Sequence, residues 1–230
     1  MKRCLSFFFF FFPALAISQN DDMKMISQKD ASELWTATWF EAPIIEPEED
    51  GDAETDTVQR PDPIGYKGAN FQRFYIRFST VVKTAGNMLE YTVTGTTGKN
   101  AENPFKGNMV ITSCETFTEQ EFPGIIQGTL EGTYQFKESG SGVYTGTFTS
   151  DFYLDRTGQV RYNGLWFDAD AYCNNQFDGY YTDSRTGKKL RCNWGDFRIP
   201  DSDALDIGEG EFVPSPKYVR NGWEDMMYNE

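Results

Sequence analysis

The sequence predicts an all-β protein: an antiparallel up-and-down meander that closes into a β-barrel, with a two-sheet β-sandwich as the alternative. Three observations carry this. Polarity alternates residue by residue over long segments between residues 71 and 199, the period of a strand with one face buried. Short glycine-containing turns such as Ser139-Gly-Ser-Gly142 and Asp155-Arg-Thr-Gly158 separate those segments, as consecutive hairpins require. Phe and Tyr are abundant, 20 and 12 residues, and no stretch has the length and period of a long core helix. Many hairpins in a row, each with one wet face, favour a meander closing on itself. Gly128, Gly132 and Gly146 fall inside strands, where closure needs bends.

Taken in order, the chain opens with Lys2 and Arg3, an apolar run from 5 to 12 with six consecutive phenylalanines, and Pro13-Ala-Leu-Ala16. That is the layout of a secretory signal peptide over 1–18, cleaved after Ala16 or Ser18 and too short to span a bilayer. Cys4 precedes the apolar run, so no lipid anchor is expected. Residues 19–33 are polar and read as disordered, with one capped turn at 30–33. Residues 34–42 form the first strand. The stretch 43–63, with Glu48-Glu-Asp-Gly-Asp, reads as an acidic surface loop. Residues 71–83 make a strand with Phe74, Ile76, Phe78 and Val82 on one face and Arg73, Tyr75 and Arg77 on the other. Strands follow over 88–96, with Leu89, Tyr91 and Val93 on one face, and over 105–114.

The central meander takes 125–137 (apolar Ile126, Leu130, Tyr134, Phe136), 143–154 (Tyr144, Phe148, Phe152, Leu154) and 160–173 (Leu165, Phe167, Ala169, Ala171). Strands at 177–183 and 188–199 complete about nine. One barrel domain over 34–213 is therefore expected, followed by a tail, 214–230, that Trp223 pins to the body.

Composition narrows function. The formal charge is −14, or −16 once Lys2 and Arg3 are removed, which disfavours nucleic acid and anionic lipid as partners. There is no histidine, so the commonest general base and transition-metal ligand is missing. No nucleophile elbow, phosphate loop or dinucleotide fingerprint occurs. Cys114, Cys173 and Cys192 remain after processing. If Ser184–Gly187 is a hairpin turn, Cys192 faces Gly179; with a turn at Asn174-Asn175, Cys173 lies about 13 Å from Cys192, beyond the ~7 Å disulfide limit. Cys114–Cys192 is the pair expected to oxidise in an exported protein.

Three constellations invite a functional reading. Cys192, Trp194, Asp196 and Arg198 alternate on the last strand, with Asp196 and Arg198 close enough to interact. Tyr162, Trp166, Asp168, Asp170 and Tyr172 share the face opposite Leu165 and Phe167, and aromatics beside carboxylates suit a sugar. As a glycosidase pair, Asp168 and Asp170 would stand only about 7 Å apart in one environment, which argues against that chemistry. Arg73, Tyr75 and Arg77 would suit an anion if their face lined a cavity, but the aromatic face is expected inside. Asp201, Asp203, Asp206 and Gly208 have only superficial calcium-loop spacing, and the acidic loop has none.

With Trp35 or Trp39 of the first strand, the Trp194 to Arg198 run resembles the calycin barrels, the lipocalins, avidins and fatty-acid-binding proteins. The resemblance implies that Trp39 packs under Arg198 to close one barrel end, with Trp194 and Asp196 beside them. Ala37 stands where that motif has glycine. The run Asn-Asn-Gln-Phe … Cys-Asn-Trp-Gly-Asp-Phe-Arg-Ile-Pro-Asp-Ser is similar to a family of exported proteins of Bacteroidetes-type bacteria, which carries no activity to transfer. The expectation is an exported (periplasmic or extracellular) calycin-like barrel binding a small apolar ligand without covalent chemistry, cofactor or metal. The alternatives are a carbohydrate-binding module, a carboxylate-based hydrolase or barrel isomerase, and a structural protein. The expected state is a monomer, or a homodimer through Trp166 and Tyr172, with no membrane insertion.

Overall fold

The structure, a computed structural model, describes residues 14–43, 55–119 and 122–227. The expected signal peptide lies largely outside them, as does most of the acidic loop. Two helices come first, α1 (Ala14–Ser27) and α2 (Glu33–Thr36). A separate hairpin pairs β1 (Trp39–Pro43) with β2 (Thr55–Gln59). The remaining strands are β3 (Ile64–Lys67), β4 (Gln72–Phe74), β5 (Ile76–Lys83), β6 (Glu90–Thr97), β7 (Asn103–Thr116), β8 (Ile126–Glu138), β9 (Gly142–Leu154), β10 (Val160–Tyr162), β11 (Asn174–Asp183) and β12 (Lys189–Asp196).

These ten form one strongly curled antiparallel sheet in the order β4-β3-β12-β11-β9-β8-β7-β6-β5, with β10 paired beside β9. Its two edge strands, β4 and β5, are successive pieces of chain parted by Tyr75, so the barrel-like ring is joined through the chain itself. The main sheet is the antiparallel meander the alternation predicts, with the β1–β2 hairpin forming a second, small sheet.

Inward-facing aromatics fill the ring because glycines face them. Gly128 lies opposite Phe152, Gly132 opposite Phe148, and Gly146 opposite Tyr134. A Cβ at Gly132 would collide with the Phe148 ring and one at Gly146 with the backbone of Asp178. These glycines therefore make room for rings across the ladder, the device by which an aromatic neighbour covers a bare strand position. At the centre Phe177 stacks on Trp194 at 4.9 Å and 11°, with Tyr134 5.1 Å from Trp194 and Phe148 5.6 Å from Phe177.

Several expectations are corrected. The segment 19–33 is not disordered: α1 covers most of it, Ile26, Ala31, Leu34 and Trp35 are buried, and Asp22 accepts hydrogen bonds from the Thr116 amide and hydroxyl. Part of the acidic loop is strand, since Thr55–Gln59 pairs with β1. The face of β5 shifts at a bulge between Phe78 and Thr80, so Val81 is 6% exposed and Val82 59%.

The largest correction concerns 160–173. Only Val160–Tyr162 is strand, and 163–173 is a run of turns, in which Ala171 has φ 62°. Among the described residues no disulfide forms: Cys114 and Cys192 are buried free thiols, and Cys173 is free. Cys114 sits in β7 and Cys192 in β12, with β8, β9 and β11 between them, far beyond disulfide reach. The tail behaves as expected: Trp223 is fully buried over β3 with Ile64, Tyr66, Leu205 and Phe212, and its indole N–H donates to Phe71 O at 2.8 Å.

Candidate functional site

The site is built where β3 stops short, leaving a gap between β5 and β12 at one end of the ring. The α2 segment and residues 60–63 enter that gap. Between them lies a cleft of about 230 Å³. Its walls are Trp35, Ile76, Phe78, Phe177 and Trp194; its polar surface comes from Arg60, Asn175 and Asp196, with Arg77 and Asp62 at the rim.

The polar surface is one connected network. Arg60 Nη2 lies 2.9 Å from Asp196 Oδ2, with the two side chains 7% and 0% exposed. Arg60 Nη1 donates to Leu34 O and Ala37 O, both at 3.2 Å, which fixes the chain around α2. Its guanidinium also lies 4.9 Å from the Tyr162 ring centre. The Tyr162 hydroxyl donates to Asp196 Oδ2 at 3.1 Å, and Asn175 Nδ2 donates to Asp196 Oδ2 at 2.9 Å and to Leu34 O at 2.8 Å. Asn175 Oδ1 accepts from Ser150 Oγ, which accepts from the Trp35 indole.

Asn175 reaches this position because the β11–β12 register shifts between Asn174 and Phe177 and its own backbone is left-handed, φ 47°, which asparagine tolerates. Burial pushes the Asp196 carboxyl upward, while Arg60, Asn175 and Tyr162 pull the other way; the net direction is up. Burial first, then Asp196, raises the Tyr162 phenol well above its ordinary value.

This network is saturated. Both Asp196 oxygens accept from Arg60, and Oδ2 accepts from Tyr162 and Asn175 as well. Asp196 thus anchors the end of the barrel and has little capacity left to move a proton on a substrate. Among the described residues no group of three or more His, Cys, Asp or Glu side chains gathers as a metal site would require.

The expected site residues are dispersed. Trp39 is 53% exposed in β1, and Arg198 turns outward beyond β12, so they do not close the barrel together. Trp35 and Arg60 occupy that end instead. Asp196 and Arg198 are not partners either: Arg198 Nη1 bonds Asp206 Oδ2 at 2.8 Å, and its Nη2 reaches the carbonyls of residues 208–211, while its Nε has no hydrogen-bond partner. Asp206 therefore serves an arginine, and the calcium-like spacing is absorbed.

Tyr162, Trp166, Asp168, Asp170 and Tyr172 do not share a strand face, because 163–173 is not a strand. Tyr162 is buried in the network above. Trp166 is 37% exposed and packs 5.4 Å from Phe122, Tyr172 donates to Asn163 O, and Asp168 and Asp170 are on the surface. A second cleft of about 630 Å³ runs past Asp168, Tyr172 and Arg198. It is larger, but the arginine in it is already engaged with its own loop.

Sequence reasoning missed Arg60 and Asn175, and it assigned the barrel-closing role to Trp39 where Trp35, the other first-strand tryptophan it weighed, lines the cleft. One signal was present: Arg60 is the only basic residue between Lys29 and Lys67, in a strongly acidic stretch.

Fold and site together define a class: an all-β, barrel-like protein with a packed interior and an aromatic-walled cleft at one end. Comparison with family models, curated proteins and solved structures gives no match.

Proposed function

We propose that the protein binds a compact small molecule, without covalent chemistry, in the cleft bounded by Trp35, Arg60, Phe177 and Trp194. The observation that carries this is the pairing of aromatic walls with a fixed polar floor in a concave space of about 230 Å³. An apolar cavity of ~150 Å³ takes up benzene, so this space suits a ligand of one or two rings with a hydrogen-bonding edge. A long lipid does not fit this reading, because Tyr134, Phe148, Phe177 and Trp194 occupy the barrel interior where such a chain would lie. Saturation of Asp196 and the lack of histidine favour binding over catalysis.

The setting proposed is outside the cytoplasm. The basic start, phenylalanine run and Pro13-Ala-Leu-Ala16 support export, with cleavage falling within the first turns of α1.

Native mass spectrometry of protein purified from its own host, followed by denaturation, tests the reading. One small molecule per chain is expected, and Ala37→Phe, which crowds the rim, should come out folded and empty. A ligand retained by Ala37→Phe at the wild-type level would place binding elsewhere.

A further inference from the structure

The stripe Arg73, Tyr75 and Arg77 is not spread over an open surface. With Lys99, Asp62 and Asp225 it lines an adjoining cleft of about 320 Å³ on the outer side of the barrel end. Three cations thus face two carboxylates, in a chain whose formal charge is −14.

Arg73 is the unusual member. Arg60, Arg77, Arg161, Arg191 and Arg198 are partly buried, and each is within 2.9 Å of a carboxylate. Arg73 is partly buried too, yet no carboxylate pairs with it among the described residues. Its Nη1 donates to Met226 Sδ at 3.0 Å, a weak acceptor. Its guanidinium lies 4.4 Å from the Trp223 ring centre and 5.2 Å from that of Tyr75, and its buried Nε, like those of Arg191 and Arg198, has no hydrogen-bond partner. Burial holds its pKa below the ordinary arginine value, with Tyr75, Asp225 and Asp62 compensating only in part. Two rings therefore hold a charged, flat donor group in place without an anion to receive it.

The neighbouring pair can rearrange. Arg77 donates from Nε and Nη2 to Asp62 Oδ2 at 2.9 and 2.6 Å, with side chains 37% and 62% exposed. Solvent screens such a pair, and it exchanges readily for a stronger partner.

We infer that this cleft is a binding site for a small oxyanion group, a phosphate or a carboxylate, received by Arg73 and Arg77 with Lys99 at its edge. Guanidinium groups present paired N–H donors that match the spacing of such oxygens. This cleft adjoins the aromatic-walled one and shares Arg77 and Asp62 with it, while Arg73, Tyr75 and Lys99 line this one and not the other.

Calorimetric titration of the folded protein at low ionic strength tests it, with inorganic phosphate and acetate as probes. Saturable binding of either is expected, weakened about tenfold in Arg73→Gln and by a smaller factor in Lys99→Gln. Lys99 is exposed, so its replacement leaves the fold intact should Arg73→Gln loosen the tail under Trp223. Arg185→Gln, in the exposed turn before β12, should bind as wild type does. Absence of saturable binding of both probes, or equal affinity in wild type and Lys99→Gln, would overturn the site.

Discussion

Asp196 and Arg60 are joined across 136 positions of sequence and hold the barrel end in shape. Removing one partner leaves the other charge buried, so Asp196→Ala should cost about 3–5 kcal/mol in urea unfolding, largely through uncompensated Arg60. A loss under about 1 kcal/mol would mean that the pair is solvated and that the floor of the cleft is not fixed. The cysteines give a second test at this scale. Burial pushes the Cys114 thiol up to about 12, and Cys192 higher still. Both should therefore stay protonated and resist a thiol reagent at pH 8 in the native protein, yet react fully once it is unfolded without reductant. Missing thiols in the unfolded sample would restore the disulfide.

At the scale of elements, the β5 bulge sets which valine is core. Val81→Ala should cost about 2 kcal/mol, and Val82→Ala should fall within about 0.5 kcal/mol of wild type. The reverse order would put the bulge elsewhere. The strict alternation of 71–83 foretold the strand but not the extra residue, because a bulge depends on the partner strand. The same limit explains 160–173. Leu165, Phe167, Ala169 and Ala171 alternate as a strand does, but Ala171 adopts φ 62° and hydrogen bonds run within the loop, Ala169 N to Trp166 O and Tyr172 N to Ala169 O. Tertiary packing there overrides the pattern, and the glycan-like face that the pattern implied is lost with it. The α1 segment misled in the opposite sense. Its polar sequence read as disordered, but a few residues, Ile26 and Asp22 among them, dock it on the body.

For the whole molecule, the meander was legible because hairpins are local and their turns are written in glycine. The seven strands β5 to β9, β11 and β12 are sequential neighbours in space. The site was not legible, because it draws on α2, the residue before Pro61, a bulge in β11 and the end of β12, which only the curl of the sheet brings together. The glycines expected to bend the strands also admit the rings that fill the barrel. That filling moves any ligand from the interior to the barrel end.

That cleft is the proposed ligand site. Its most direct test is a two-dimensional ¹⁵N NMR titration of the folded protein with a panel of one- and two-ring polar aromatic compounds. The prediction is that binders shift the indole N–H of Trp35 and the side-chain amide of Asn175 together, and leave the Trp166 indole unmoved. Shifts centred on Trp166, or no binder that moves Trp35 and Asn175, would contradict it.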